Sequence, residues 1–202
     1  MKRMKMLVLA GAVAVSSMAY GQGNSGAPAT LPTPGSNQAS DSSSAPPHAS
    51  DMHDKVFLRK ASEGGLAEVK LGELASTKGN SKEVKDFGSQ MVTDHTKLNE
   101  EMKPIAMQFG VMPPQHLNKM DQAEWDKLNG MSGDDFDKEY ITFMQKDHHN
   151  DLREFRTESN ATQNEELKTA VEKGTKVIYH HTMMVDKIAK EMGISTVRAK
   201  KS

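Results

Sequence analysis

Four long stretches of this chain repeat apolar residues every three or four positions, the spacing that gives an α-helix one apolar face. The predicted helices run from about Asp51 to Lys78, Lys82 to Phe109, Ser132 to Glu158 and Thr162 to Met192. Strand-like alternation of apolar and polar residues does not occur anywhere in the sequence. Amphipathic helices bury their apolar faces most simply against one another, so the pattern predicts an all-α four-helix bundle.

The connections between the helices differ in length, and this difference predicts the topology. Gly79 and Ser81 separate the first two helices, with Ser81 as an N-cap, and Thr162 and Glu165 form a capping box for the fourth helix. About two dozen residues separate the second and third helices and include a short amphipathic piece, Gln115–Leu128. That length is enough to cross the bundle, so we expect a hairpin, a crossover and a second hairpin, as in ferritins. An up-down-up-down bundle with a long loop is the alternative.

The N-terminus has the features of an export signal. Three basic residues precede the apolar run Met6–Ala19, and small residues on both sides of Tyr20 predict cleavage after Gly21. Residues 22–50 are rich in Gly, Ala, Pro, Ser, Asn and Gln, which predicts a disordered tether. We expect the folded domain at 51–193 and a basic disordered tail at 194–202. The mature protein is expected in the periplasm or outside the cell, with a retained membrane anchor as the alternative.

Composition excludes several classes of function. The formal net charge is -1, so the chain lacks the basic excess of a nucleic-acid-binding protein. It has no cysteine, which excludes disulfide partners, thiolate metal sites and cysteine nucleophiles, and also a lipid-anchored cysteine. No nucleophile with a base, glycine-rich phosphate loop or pair of catalytic carboxylates stands out, so a hydrolytic enzyme has no support.

Each predicted helix carries one polar residue in the middle of its apolar stripe. In chain order these residues are Glu68, His95, His148 and His181. Imidazole and carboxylate groups together suit zinc, iron, manganese or copper, so the four positions form a candidate site for a single transition-metal ion. At 1.5 Å per residue, His95 and His148 should be level, Glu68 about 6 Å higher, and His181 roughly 12 Å from His148. We therefore expect His181 either to join the site or to meet Tyr140 instead.

A di-iron centre of the ferritin type is rejected because its carboxylates are missing. Such centres take a Glu from each of two helices and a Glu-x-x-His from each of the other two. Apolar or amide residues stand three positions before all three histidines of this chain. The alternative without metal is a polar core layer in which Glu68 pairs with a protonated histidine and fixes the helix register. Asp94 and Asp147, next to two of the histidines, either hold an imidazole from outside the site or are solvated.

Several segments of the chain resemble the bacterial family of domain of unknown function 4142. They are Gly65–Val69, Met91–His95, the spacing from Tyr140 to His148, and a histidine late in the fourth helix. The resemblance covers about residues 51–193. Members often have a proline about five residues before the last histidine, where this chain has Lys176. The resemblance implies a ferritin-like helical bundle exported to the bacterial envelope, and it implies no established activity.

Two functions are compatible with the sequence. The first is a non-enzymatic envelope module with a structural, protective or interaction role, whose partner is an envelope protein or a second copy of the chain. The second is a metal-binding bundle that holds one transition-metal ion in its core for metal handling or protection against oxidative stress. Metal bound in stoichiometric amount, and lost when His95 and His148 are replaced, separates the second function from the first.

Overall fold

The computed structural model describes residues 49–194, which form five α-helices and no strand. The helices are α1 Ala49–Lys78, α2 Lys82–Gln108, α3 Lys119–Asn129, α4 Gly133–Ala161 and α5 Glu165–Glu191. The predicted all-α fold is confirmed. The signal peptide predicted at 1–21, nearly all of the tether predicted at 22–50 and the tail beyond Ile194 lie outside the described residues. None of the helices in residues 49–194 contains an apolar run of the length that a membrane span needs.

The N-caps decide where two of the long helices begin. The Ser81 side chain accepts a hydrogen bond from the Val84 amide, as predicted for the start of α2. The predicted capping box at Thr162 is wrong, because Asn164 is the N-cap of α5 and accepts from the Leu167 amide. Thr162 instead follows the last residue of α4, and its hydroxyl is used in a tertiary hydrogen bond. α4 is therefore longer than predicted, and α5 begins later.

The four long helices form a bundle with a crossover. α1 packs against α2 and α4, and α5 packs against α4 and α2, so α2 and α4 are diagonal. Asp137, near the start of α4, accepts hydrogen bonds from the backbone of the α1–α2 turn, so α2 and α4 start at the same end. We name this the upper end, and the end where α1 starts and α4 meets α5 the lower end. α3 returns the chain from the lower to the upper end along α1 and α4. The predicted order of hairpin, crossover and hairpin is present.

The interior consists of two apolar halves with a polar layer between them. The upper half contains Phe87, Tyr140 and Met144, and the lower half contains Phe57, Leu98 and Phe155. In each long helix the residues of one half precede the central polar residue in sequence, and those of the other half follow it. We call the four central residues, Glu68, His95, His148 and His181, the polar layer. The helices around it are close, since a β-carbon on Gly72 would lie 2.8 Å from the Gly88 carbonyl oxygen.

Candidate metal centre

The structure brings the four residues of the polar layer together at the middle of the bundle. Each comes from a different long helix, and each is at most 3% exposed. Nε2 of His95 lies 3.1 Å from Nδ1 of His181. Oε1 of Glu68 lies 3.6 Å from Nε2 of His148, and Oε2 lies 2.7 Å from Nδ1 of His95 without the alignment of a hydrogen bond. The four side chains are therefore close enough to act on one ligand.

The predicted offset of His181 is wrong. We expected it roughly 12 Å from His148, yet the centroids of the two rings are 5.6 Å apart. The cause is the boundary between α4 and α5, because α4 continues to Ala161 and α5 begins only at Glu165. Each shift of a few residues moves a side chain by several ångströms along the helix axis. The alternative contact with Tyr140 is also wrong as a hydrogen bond, since the Tyr140 hydroxyl has no partner among the described residues.

Two of the imidazoles are held from outside the layer through one nitrogen. Nδ1 of His148 donates to the Met144 carbonyl oxygen at 3.0 Å, because a carbonyl can only accept. Nε2 of His181 likewise donates to Oδ2 of Asp94 at 2.8 Å. The predicted outer role of Asp94 therefore has a contact to support it. In the neutral ring the remaining nitrogen carries a lone pair, so Nε2 of His148 and Nδ1 of His181 both present lone pairs to the layer.

The three imidazoles form a set of the size that a metal ion needs. One nitrogen from each of His95, His148 and His181 lies within 4.8 Å of the other two. Glu68 belongs to a second set with Asp147 and His148, whose ligand atoms lie within the same distance of one another. The structure thus divides the predicted ligands into a group of three histidines and an adjacent carboxylate. Glu68 is placed to accept from His95 or to bind an ion as a fourth ligand.

Burial keeps the histidines of the layer in the form that binds metals. It lowers the pKa of His95 to about 4 and that of His181 to about 4, and it lowers the pKa of His148 well below its usual value. All three rings are therefore neutral near pH 7, as metal ligation requires. The same pKa shifts count against the alternative in which a protonated histidine neutralises Glu68.

The carboxyl groups beside the histidines resist ionisation. Burial, followed by the nearby Asp121 carboxylate, raises the pKa of Glu68 well above its usual value. Burial and the charge of Glu68 also raise the pKa of Asp147. Without a cation, a protonated Glu68 could donate a hydrogen bond to Nδ1 of His95 or Nε2 of His148, the two unpaired nitrogens that face it. A metal ion would supply positive charge at the same place, and Glu68 could then ionise.

Unpaired polar atoms are concentrated in this layer. Within residues 49–194, buried side-chain atoms without a hydrogen-bond partner include Glu68 Oε1, His95 Nδ1 and His148 Nε2. A buried polar atom without a partner costs about 1–3 kcal/mol, so a cluster of such atoms requires an explanation. A metal ion bound between the rings would give Nε2 of His148 a partner, and an ionised Glu68 could then accept from Nδ1 of His95.

A second cluster of ligand-type side chains lies at the lower end and was not predicted. It consists of His53, Asp54 and Glu158, whose candidate ligand atoms lie within 4.8 Å of one another. From the sequence alone, His53 is compatible with weak metal binding or with simple solvation, and neither carboxylate stands out as a ligand. The signal was present, because Asp54 stands three residues before Phe57 and Glu158 three residues after Phe155, in line with two buried stripes.

Comparisons with known proteins support the fold and give no information about activity. The model of the family DUF4142, "Domain of unknown function", matches residues 38–188. A DUF305 fragment from Deinococcus radiodurans has 9% identity and a TM-score of 0.61, covering 73% of this chain and 99% of that one. A DUF305 protein from Streptomyces coelicolor, named as a candidate secreted protein, has 14% identity and a TM-score of 0.61, covering 75% and 100%. No curated protein matches this chain in sequence. At these identities the likeness concerns the fold alone.

Proposed function

Because the chain belongs to the DUF4142 family, whose name assigns no activity, we propose its function from the polar layer: it binds one transition-metal ion in the core of the bundle. The ligands in this proposal are Nε2 of His95, Nε2 of His148 and Nδ1 of His181. The observation that carries it is the convergence of three neutral, buried imidazoles within 4.8 Å, among them His148, whose Nε2 has no hydrogen-bond partner among the described residues.

The partners around the ligands are those expected of a metal site. A metal-bound histidine usually donates its other ring nitrogen to a carboxylate or a backbone carbonyl, which fixes its tautomer and orientation. Asp94 and the Met144 carbonyl are such acceptors for His181 and His148. Oε2 of Glu68, 2.7 Å from Nδ1 of His95, is near enough to become the acceptor for the third ring after a small reorientation. Imidazole ligands suit zinc, copper, iron and nickel, and three of them leave a coordination position open.

The biological role we propose is metal handling or protection against oxidative stress in the bacterial envelope. Export is supported by the N-terminal signal-like sequence and by the Streptomyces coelicolor protein of the same fold, which is named as a candidate secreted protein. The Asp94 side chain is 27% exposed and contacts His181 directly, so the ion would reach the layer from this side. The competing function is a structural or interaction module whose polar layer binds no metal.

Metal content, measured by plasma mass spectrometry on untagged protein purified from the periplasm, tests the proposal. The parent should retain a metal ion that the His95→Ala/His148→Ala variant lacks. A His149→Ala/His180→Ala variant is the matched control, because these histidines lie outside the layer and should leave the metal content unchanged. A His95→Leu/His148→Leu variant fills the space and separates loss of metal from loss of fold. If the parent holds no more metal than the double variants after incubation with Zn, Mn, Fe and Cu, the layer has a structural role and binds no metal.

Replacing either carboxylate, Asp94 or Glu68, should weaken metal binding. Asp94→Asn removes an acceptor behind His181 and should weaken binding by about 10–100-fold, the usual effect of losing an outer partner. Glu68→Gln should weaken binding by the same factor if Glu68 only holds His95, and by a larger factor if it is a fourth ligand. Isothermal titration with Zn²⁺ measures both. Unchanged affinity in both variants would contradict the arrangement proposed here.

A further inference from the structure

The cluster at the lower end joins the start of α1 to the end of α4. His53 and Asp54 lie in the first turns of α1, and Glu158 lies in the last turn of α4. Nδ1 of His53 is 3.0 Å from Oε2 of Glu158. Oδ2 of Asp54 accepts a hydrogen bond from the Thr162 hydroxyl at 2.8 Å. This cluster shares no residue with the polar layer, so an inference from it does not depend on the function proposed above.

Both carboxyl groups of the cluster are buried, and each has an oxygen without a partner. Asp54 is 2% exposed and Glu158 is 1% exposed. Among the described residues, Oδ1 of Asp54 and Oε1 of Glu158 have no hydrogen-bond partner. Buried carboxylates are normally paired or bound to a metal ion, because leaving the charge unpaired is costly. The two free oxygens therefore need either a proton shared between the carboxyl groups or a bound cation.

The charges around the cluster call for a cation. Two carboxylates face one imidazole, so a protonated His53 would neutralise only one of them. Two basic residues line the cleft beside the cluster, and both bond elsewhere: Lys60 pairs with Glu154 at 3.5 Å, and Arg153 donates to Oδ1 of Asn150 at 3.0 Å. Glu158 also lies at the C-terminal end of α4, where the helix dipole is negative and favours positive charge.

We propose that His53, Asp54 and Glu158 form a second metal site, which binds a divalent cation such as Mn²⁺. Carboxylate oxygens suit Mn²⁺, and an imidazole beside them is compatible with the same ion. The ion is accessible, because the His53 side chain is 53% exposed and a cleft lined by His53 and Glu158 opens beside it. Once bound, it ties the start of α1 to the end of α4 and neutralises the carboxyl pair.

Binding of Mn²⁺ alone to the untagged protein tests this site. Electron paramagnetic resonance of free Mn²⁺ counts the bound ions, and thermal denaturation follows their effect on stability. Wild type should bind the ion and melt at a higher temperature in its presence. Asp54→Asn and Glu158→Gln keep the side-chain volume and should lower the affinity at least about tenfold, with loss of the melting shift. Glu154→Gln, an exposed carboxylate one turn away, is the matched control and should behave as wild type.

Two further variants keep the test decisive. His53→Ala changes a half-exposed residue, so it should weaken Mn²⁺ binding without affecting the fold, which far-ultraviolet circular dichroism checks. His95→Ala/His148→Ala should retain the Mn²⁺ that depends on Glu158, which separates this site from the polar layer. The proposal is overturned if Glu158→Gln and His53→Ala bind Mn²⁺ as wild type does, or if wild type binds none. The carboxyl pair would then share a proton instead of an ion.

Discussion

Carboxyl groups are buried between helices at both ends of the bundle, but they differ in how many hydrogen-bond partners the protein gives them. At the upper end, Oδ1 and Oδ2 of Asp137 accept hydrogen bonds from the backbone amides of Asn80 and Ser81 at 2.8 and 2.7 Å. At the lower end, Asp54 and Glu158 share one hydroxyl and one imidazole, and an oxygen of each has no partner. The upper carboxylate is satisfied by the protein itself, whereas the lower pair is not.

Helix direction explains this difference. Asp137 faces the turn that leads into α2, where the backbone amides have no partner within a helix and are free to donate. Glu158 lies where α4 ends, and a helix end offers carbonyl oxygens, which cannot donate to a carboxylate. A buried carboxylate at a helix start is thus a structural clamp, while a carboxyl pair at a helix end needs a proton or a cation. The same need arises in the polar layer, where Glu68 faces nitrogen acceptors.

The largest effect is expected from removing the clamp at the upper end. Asp137→Ala leaves two backbone amides of the α1–α2 turn without their charged acceptor, and it should lower the free energy of unfolding by about 3 kcal/mol. Urea denaturation measures the loss. Asp135→Ala, an exposed carboxylate in the same turn of α4, is the control and should cost much less. Equal losses in the two variants would show that Asp137 is no more of a clamp than a surface residue.

A smaller effect is expected from pH in metal-free protein. The pKa values of Glu68, Asp147 and Glu158 are raised mainly by burial, so these groups retain protons in the folded chain that the unfolded chain has already lost. Stability from such groups is complete below their unfolded pKa and is lost as the pH rises through the folded pKa. Between pH 6.5 and 8 the free energy of unfolding should therefore fall by about 2 kcal/mol.

The histidines of the layer act in the opposite direction and offset part of this fall. Their lowered pKa values cost stability wherever the unfolded chain takes up protons that the folded chain does not, which begins at about pH 7.5 and grows as the pH falls toward about 4. Urea denaturation at several pH values in the presence of a chelator measures the fall above pH 6.5. Saturating metal should flatten it, because a bound cation allows the carboxyl groups to ionise. A metal-free protein equally stable at pH 6.5 and 8 would mean that these carboxyl groups ionise freely.

Much of the fold was predictable because amphipathic periodicity and turn residues determine it locally. The four long helices, the crossover with its short helix and the Ser81 cap all follow from patterns within a few residues of one another. Thr162 was misassigned because a capping box and an Asn cap two residues later compete for the same helix start. That choice depends on Asp54, a residue distant in sequence that holds the Thr162 hydroxyl, so local patterns do not decide it.

The candidate site was predictable in membership but not in geometry. Polar residues centred on four apolar stripes identify Glu68 and the three histidines, and whether they bind metal stays a prediction. The height of His181 was wrong because an error of a few residues at a helix end becomes several ångströms in space. The outer contacts of His148 and His181 depend on ring orientation, which no spacing rule gives. Asp54 and Glu158 were missed because a carboxylate at the end of a stripe resembles a solvated residue.

The smallest effect tests the lower end directly. In metal-free protein, Glu158→Gln removes a group whose pKa is raised to about 7, so the fall in stability between pH 6.5 and 8 should shrink by about 1 kcal/mol. The amide can also donate to the unpaired Asp54 oxygen, which wild type can do only while Glu158 is protonated. Glu154→Gln should leave the fall unchanged. With Mn²⁺ at pH 8, wild type should be more stable than Glu158→Gln. The ion stabilises the wild-type carboxyl pair, and the amide of the variant binds it more weakly. If the stability of Glu158→Gln follows the wild-type pH curve with and without Mn²⁺, the carboxyl groups at the lower end need neither a proton nor an ion, like Asp137 at the upper end.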